Sequence, residues 1–77
     1  MKWTEADNKL SRQFVFDDFS TAFSFITRVA LAAEKAGHHP EIYNVYNKVT
    51  LHLSTHDDGN IVTEKDRKLA AAIDSLV

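Results

Sequence analysis

Four histidines carry most of the reactive chemistry in this sequence, and three of them fall where secondary-structure elements should end. His38 and His39 stand together after a long amphipathic stretch, and His56 follows a run of alternating apolar residues. Loops at element ends are where a scaffold commonly displays reacting groups. Imidazole titrates near neutral pH, so several of them in one place make an acid–base kit. Glu34 lies four residues before His38, close enough to meet it if the last helical turn curls back, and a carboxylate there would orient the ring. It is equally readable as a solvated glutamate at a helix end, where the macrodipole disfavours its charge. His52 differs from the other three. It alternates with Val49, Leu51 and Leu53 and reads as an ordinary strand residue on the opposite face.

Other chemistries fit less well. Neighbouring side chains on extended backbone diverge, so His38-His39 is a poor metal-ligand pair. Neither an HxxxH pair nor a cysteine completes a zinc tetrahedron, and no metal site is expected. Nucleophilic catalysis lacks a cysteine and a serine in a strand–helix elbow.

The elements that must position these groups follow from periodicity. Trp3 to Phe16 reads as two short strands joined by a turn at Ala6-Asp7-Asn8, with Phe14 and Phe16 on one face of the second and Gln13 and Val15 on the other. Asp17 and Asp18 suit the start of a helix. The spacing predicts that helix over Asp18–Ala36, burying Phe19, Ala22, Phe23, Ile26, Val29, Ala30 and Ala33. Phe25 flanks this stripe and Leu31 lies almost opposite it, which hints at a subunit contact. Gly37 is placed to end the helix in a left-handed conformation, and Pro40 biases His39 towards extended backbone. Ile42–Val45 and Lys48–Thr55 read as a strand pair, and Asp57–Asn60 as a loop. Thr63 with Asp66 resembles a capping box opening a last helix over Glu64–Leu76, which buries Leu69, Ala72, Ile73 and Leu76. The order β-β-α-β-β-α predicts an α+β fold, a two-layer sandwich in which a four-stranded antiparallel sheet carries both helices on one face.

The chain has 77 residues, which makes a single domain over 1–77, and no cysteine. So small a domain without disulfides gains most readily from self-association. Its net charge of −2 includes no basic cluster of the kind that binds nucleic acid. The amino terminus lacks the apolar core of a secretion signal, and no apolar run approaches a bilayer span; no membrane partner is expected, and a cytoplasmic location is.

The string itself is more specific than its periodicity. Glu34-Lys35-Ala36-Gly37-His38-His39-Pro40, then Asn44-Val45-Tyr46-Asn47-Lys48-Val49, then Leu53-Ser54-Thr55-His56 resembles the pterin-4a-carbinolamine dehydratase family, and Phe19 to Glu34 fits the same family. The resemblance implies a lyase that dehydrates 4a-hydroxytetrahydrobiopterin to the quinonoid dihydropterin in tetrahydropterin recycling, without metal or organic cofactor. It implies His38, His39 and His56 as active-site histidines with Glu34 as their accompanying acid. Pro40, Thr55, Asp57 and Asp58 would line the pterin pocket with the histidines, and Asp66 would stand near it or serve only as a helix cap. His38 and His56 are expected to act on the 4a-hydroxyl and N5, in an order the sequence leaves open. The implied partners are further copies, as homodimer or homotetramer, and functionally an aromatic amino-acid hydroxylase.

Three departures stand out. The chain begins almost at Trp3, without the leading helix usual in that family. Ile42 stands where relatives often have Trp. The loop from Asp57 to Val62 is one residue longer, with Asn60-Ile61-Val62 in place of a Gly-Leu ending. The competing reading is a protein-interaction module, since animal members act as dimerisation cofactors of a homeodomain transcription factor, which would add a nuclear location. An adaptor needs none of Glu34, His38, His39 and His56, and their joint presence favours the enzyme.

Overall fold

Positive backbone φ at Asp7 and Asn8 makes the first reversal of the chain, as a two-residue hairpin requires, and both residue types tolerate that region. The computed structural model describes residues 2–77. The hairpin joins β1 (Thr4–Ala6) to β2 (Lys9–Val15), and helix α1 (Phe19–Ala36) follows. A second hairpin, β3 (Glu41–Val45) and β4 (Lys48–Leu53), leads through a short 3₁₀ turn at His56–Asp58 to helix α2 (Glu64–Asp74). The sheet order is β1-β2-β4-β3 and every pairing is antiparallel. This is the expected α+β architecture, with β2 and β4 as its central strands.

Strict alternation sets the two sheet faces. Leu10 and Phe14 of β2, and Val49, Leu51 and Leu53 of β4, are buried against the helices, whereas Val15 is exposed. His52 points to the open face, where its Nδ1 meets the Ser11 hydroxyl at 2.6 Å. Arg12 also faces the core side, at its rim. Its guanidinium lies 4.2 Å from the centre of the Phe14 ring and donates to Asp74 at 2.6 Å, and Trp3 Nε1 donates to the same carboxylate at 2.7 Å. That arrangement ties the end of α2 to β2 and to the residue that leads into β1.

Helix α1 is rotated relative to the stripe read from the sequence. Ala22, Val29 and Ala33 are buried and Ile26 packs against the core, as expected, but Phe19, Phe23 and Ala30 face solvent. Phe25 is fully buried instead, so it is no subunit contact. The reason lies in β2 and the residue just past it, where the Phe14 and Phe16 rings stand 4.7 and 5.0 Å from that of Phe25 and hold it between helix and sheet. Phe19 and Phe23 stack on each other at 5.7 Å on the exposed flank. In α2, Leu69 and Ile73 are buried as expected, but Ala70 takes the place assigned to Ala72. Among the described residues, no helix is long and apolar enough to cross a membrane.

Candidate active site

The site begins with the way α1 stops. Gly37 adopts φ 63°, its N–H bonds the Glu34 carbonyl, and the His38 N–H bonds the Ala33 carbonyl. Together these form a Schellman termination, which turns the chain sharply back on itself. The reversal carries the His38 side chain towards the start of α2, and Pro40 then leads the chain into β3.

The start of α2 is built to receive it. Thr63 and Asp66 form a reciprocal capping box, in which Asp66 Oδ2 accepts from the Thr63 N–H at 2.9 Å. The same oxygen accepts from the Thr55 hydroxyl at 2.7 Å. Because the single Thr55 proton is spent there, the 2.6 Å contact between the Thr55 and Thr63 hydroxyls runs from Thr63 to Thr55. The remaining oxygen, Oδ1, stands 2.5 Å from His38 Nε2. Asp66 is wholly excluded from solvent and the His38 side chain is 13 % exposed. Burial pushes the Asp66 carboxyl up, but the hydrogen bonds from His38, the Thr63 N–H and Thr55 outweigh it and hold the group below its ordinary value of 3.8. Asp66 is therefore ionised at neutral pH. An ionised carboxylate only accepts, so His38 Nε2 carries the proton and Nδ1 is left for other work.

Glu34 does not meet His38. It pairs with His39, whose Nε2 lies 2.6 Å from Oε1, and both side chains are mostly in solvent, 64 % exposed for His39 and 76 % for Glu34. The expectation of a Glu34–His38 pair fails because the left-handed turn at Gly37 sends His38 inwards and leaves His39 on the outer side of the helix end. His56 stands at the start of the 3₁₀ turn, with Nδ1 2.8 Å from the Asn60 amide oxygen.

These segments enclose a cleft of about 280 Å³. His38, His39, Thr55, His56 and Asp57 line it, and Asp66 lies buried beneath, behind His38. Among the other positions singled out from sequence, Glu34, Pro40 and Asp58 are not on its wall. The wall also contains Gly37, Ser54 and Lys65. Gly37 and Ser54 belong to the quoted strings, although neither was singled out as a site residue. Lys65 was marked by nothing but its place one residue before Asp66, in the first turn of α2.

Three imidazoles facing one cleft, one of them held by a buried carboxylate, can deliver and receive protons at neighbouring atoms of a bound molecule. Comparison with known proteins agrees on a single family. The family model described as Pterin 4 alpha carbinolamine dehydratase matches residues 1–76. The chain is 53% identical over 74 residues to a protein of Solibacter usitatus provisionally named pterin-4-alpha-carbinolamine dehydratase, covering 96% of this chain and 77% of the relative. A protein of the same provisional name from Paraburkholderia xenovorans is 53% identical over 76 residues, covering 96% and 78%. Among solved structures, the transcriptional coactivator/pterin dehydratase of Brucella melitensis superposes with a TM-score of 0.91 at 45% identity, over 97% of this chain and 81% of its own. A pterin dehydratase-like protein described as a RuBisCO assembly factor in the α-carboxysome gives 0.82 at 26% identity, over 99% and 89%.

Proposed function

The chain belongs to the pterin-4a-carbinolamine dehydratase family, and from that premise we propose that its cleft dehydrates 4a-hydroxytetrahydrobiopterin to the quinonoid dihydropterin by histidine acid–base catalysis. The observation that carries the reading is the convergence of His38, His39 and His56 on one cleft, with His38 fixed by the buried Asp66.

Dehydration breaks the C4a–O bond. The hydroxyl accepts a proton and leaves as water, N5 gives up its proton, and the N5 electron pair becomes the C4a=N5 double bond. One positioned donor and one positioned acceptor suffice, and an imidazole can serve as either. His38 and His56, which come from different segments and are anchored independently by Asp66 and Asn60, are the pair assigned to these two transfers. His39, held loosely by Glu34, contributes to binding. Asp66 is a positioning residue: it sets which nitrogen of His38 faces the cleft and its charge balances an imidazolium there.

The test is turnover by purified protein on carbinolamine generated in place by an aromatic amino-acid hydroxylase, with the uncatalysed rate subtracted. Formation of quinonoid dihydropterin no faster than that background would end the proposal. An adaptor role is the second reading. It is favoured by a cluster of exposed apolar residues, Tyr43, Val45 and Tyr46, on β3 and its turn, and by the coactivator half of the Brucella relative's name. An adaptor would leave the cleft idle, so the same assay separates the two.

A further inference from the structure

The loop between His56 and α2 touches a catalytic candidate directly. Gly59 and Asn60 both have positive φ, 88° and 60°. Their N–H groups turn back on the preceding segment, Gly59 to the His56 carbonyl at 3.1 Å and Asn60 to the Thr55 carbonyl at 3.0 Å. The Thr55 N–H closes the loop on the Ile61 carbonyl at 2.8 Å. Asparagine tolerates the left-handed region better than other non-glycine residues, so Asn60 fits this backbone without the strain a branched residue would bring. The backbone places its side chain over His56, with the amide oxygen 2.8 Å from Nδ1.

An amide oxygen can only accept. His56 Nδ1 must then carry the ring proton, and in the neutral imidazole Nε2 is left with a free lone pair. Asn60 does not line the cleft, whereas His56 does, so the nitrogen left available to a bound molecule is Nε2. We propose that Asn60 is a positioning residue that locks His56 in the Nδ1–H tautomer, presenting Nε2 to the substrate as the proton acceptor. The partners of the two histidines differ in the corresponding way. The ionised Asp66 balances the charge of an imidazolium at His38, while the neutral amide of Asn60 balances none at His56. The elimination then runs in one direction: His56 Nε2 takes the N5 proton, the N5 electron pair forms C4a=N5, and the C4a–O pair leaves with the hydroxyl, which takes the Nδ1 proton of a His38 imidazolium whose Nε2–H stays on Asp66.

This inference rests on the dehydratase reading, and its test separates the two. Long-range ¹H–¹⁵N correlation spectra of the full chain, recorded where His56 is neutral, report which ring nitrogen carries the proton without any need for turnover. The wild type is expected to show Nδ1–H at His56. Asn60→Gly keeps the left-handed backbone and removes the amide, and should release the tautomer to a mixture. The accompanying fall in kcat is about 2- to 4-fold, the change in the Nδ1–H fraction that one hydrogen bond of ordinary net strength sets, with KM little changed. Asn60→Asp restores an acceptor and should restore the tautomer. A His56 that is Nε2–H in the wild type, or whose tautomer is indifferent to Asn60→Gly, overturns the proposal. So does a released tautomer with kcat unchanged. An Nδ1–H His56 in a wild-type chain that never exceeds the background rate upholds the Asn60 contact and overturns the dehydratase reading instead.

Discussion

Asp66→Asn changes one oxygen of a buried side chain to nitrogen and almost nothing in its shape. The carboxylate receives three hydrogen bonds, from the Thr63 N–H and the Thr55 hydroxyl on Oδ2 and from His38 on Oδ1. An amide has one accepting oxygen. If that oxygen stays with Thr63 and Thr55, the amide NH₂ faces His38 Nε2–H, donor against donor, and His38 must shift its proton to Nδ1. If the amide turns round, the capping N–H of Thr63 is left without its acceptor. Either way the bonds to an ionised group become weaker neutral ones, and one partner must move its proton or go without its acceptor. A bond to a charged group contributes about 1.5–3 kcal/mol net. We expect Asp66→Asn to destabilise the fold by about 2 kcal/mol at pH 7, which for a domain of this size lowers Tm by roughly 8–16 °C.

The pH dependence of that difference is diagnostic. The folded Asp66 carboxyl titrates below its ordinary 3.8, so its contribution is complete above that pH and is lost as pH falls through the folded value. The asparagine variant has nothing to titrate there. Asp18 and Glu41, held low by the Thr21 N–H and by Lys9 respectively, titrate in both proteins and cancel in the comparison. Urea unfolding followed by circular dichroism should show a gap between wild type and variant at about pH 4 and above that closes as pH falls from about 4 towards 2. A variant within about 0.5 kcal/mol of wild type at pH 7, the ordinary range for an inert surface change, would refute the argument, as would a gap that persists unchanged to pH 2.

His38→Ala and His56→Ala should each slow turnover by ~10²–10⁴-fold, the usual worth of a general acid or base, while His52→Ala on the open sheet face leaves it nearly unchanged; background-corrected kinetics on folded variants decide this. Phe25→Ala should cost about 3–5 kcal/mol of stability, as large-to-small changes in a closed core do, whereas Phe23→Ala, half exposed, should stay within about 0.5 kcal/mol; denaturant midpoints measure both. Glu34→Gln should change turnover by less than about threefold, because an ion pair as solvated as Glu34–His39 contributes little; a loss comparable to that of the histidine variants would contradict the geometry. Self-association is expected from the exposed apolar side chains of β3 and from Leu31, and light scattering that finds only an 8.7 kDa species at micromolar concentration would oppose it.

Much of the fold was legible because its signals are local. Asp7-Asn8, Gly37 and the Thr63–Asp66 pair each solve a backbone problem within a few residues, and the structure uses all of them as the sequence suggests. Alternation in β4 likewise separated Val49, Leu51 and Leu53 from His52 without reference to anything distant. The rotation of α1 was not legible in the same way. Periodicity shows that a helix has an apolar side, but Phe19, Phe23 and Phe25 are chemically alike and spread around it. Only the hollow between Phe14 and Phe16, formed once β2 packs under the helix, decides which phenylalanine is buried.

The candidate site divides along the same line. Its members were readable from the string, since His38, His39, Thr55, His56 and Asp57 do share one cleft. Their pairing was not, because sequence spacing favours near neighbours and Glu34 was nearer to His38 than Asp66. The two carboxylate–histidine pairs are alike in length, 2.5 and 2.6 Å, yet they sit in opposite environments. Glu34 and His39 lie in water, where solvent screens the attraction and two flexible side chains must be ordered to sustain it. Asp66 is fully buried and its other oxygen is occupied by Thr63 and Thr55, so it cannot swing away, and the low local dielectric strengthens what it does hold. Distance alone would rank the two pairs as equals. Burial decides between them, and it makes a residue readable from sequence as a helix cap the group that holds His38 at the cleft.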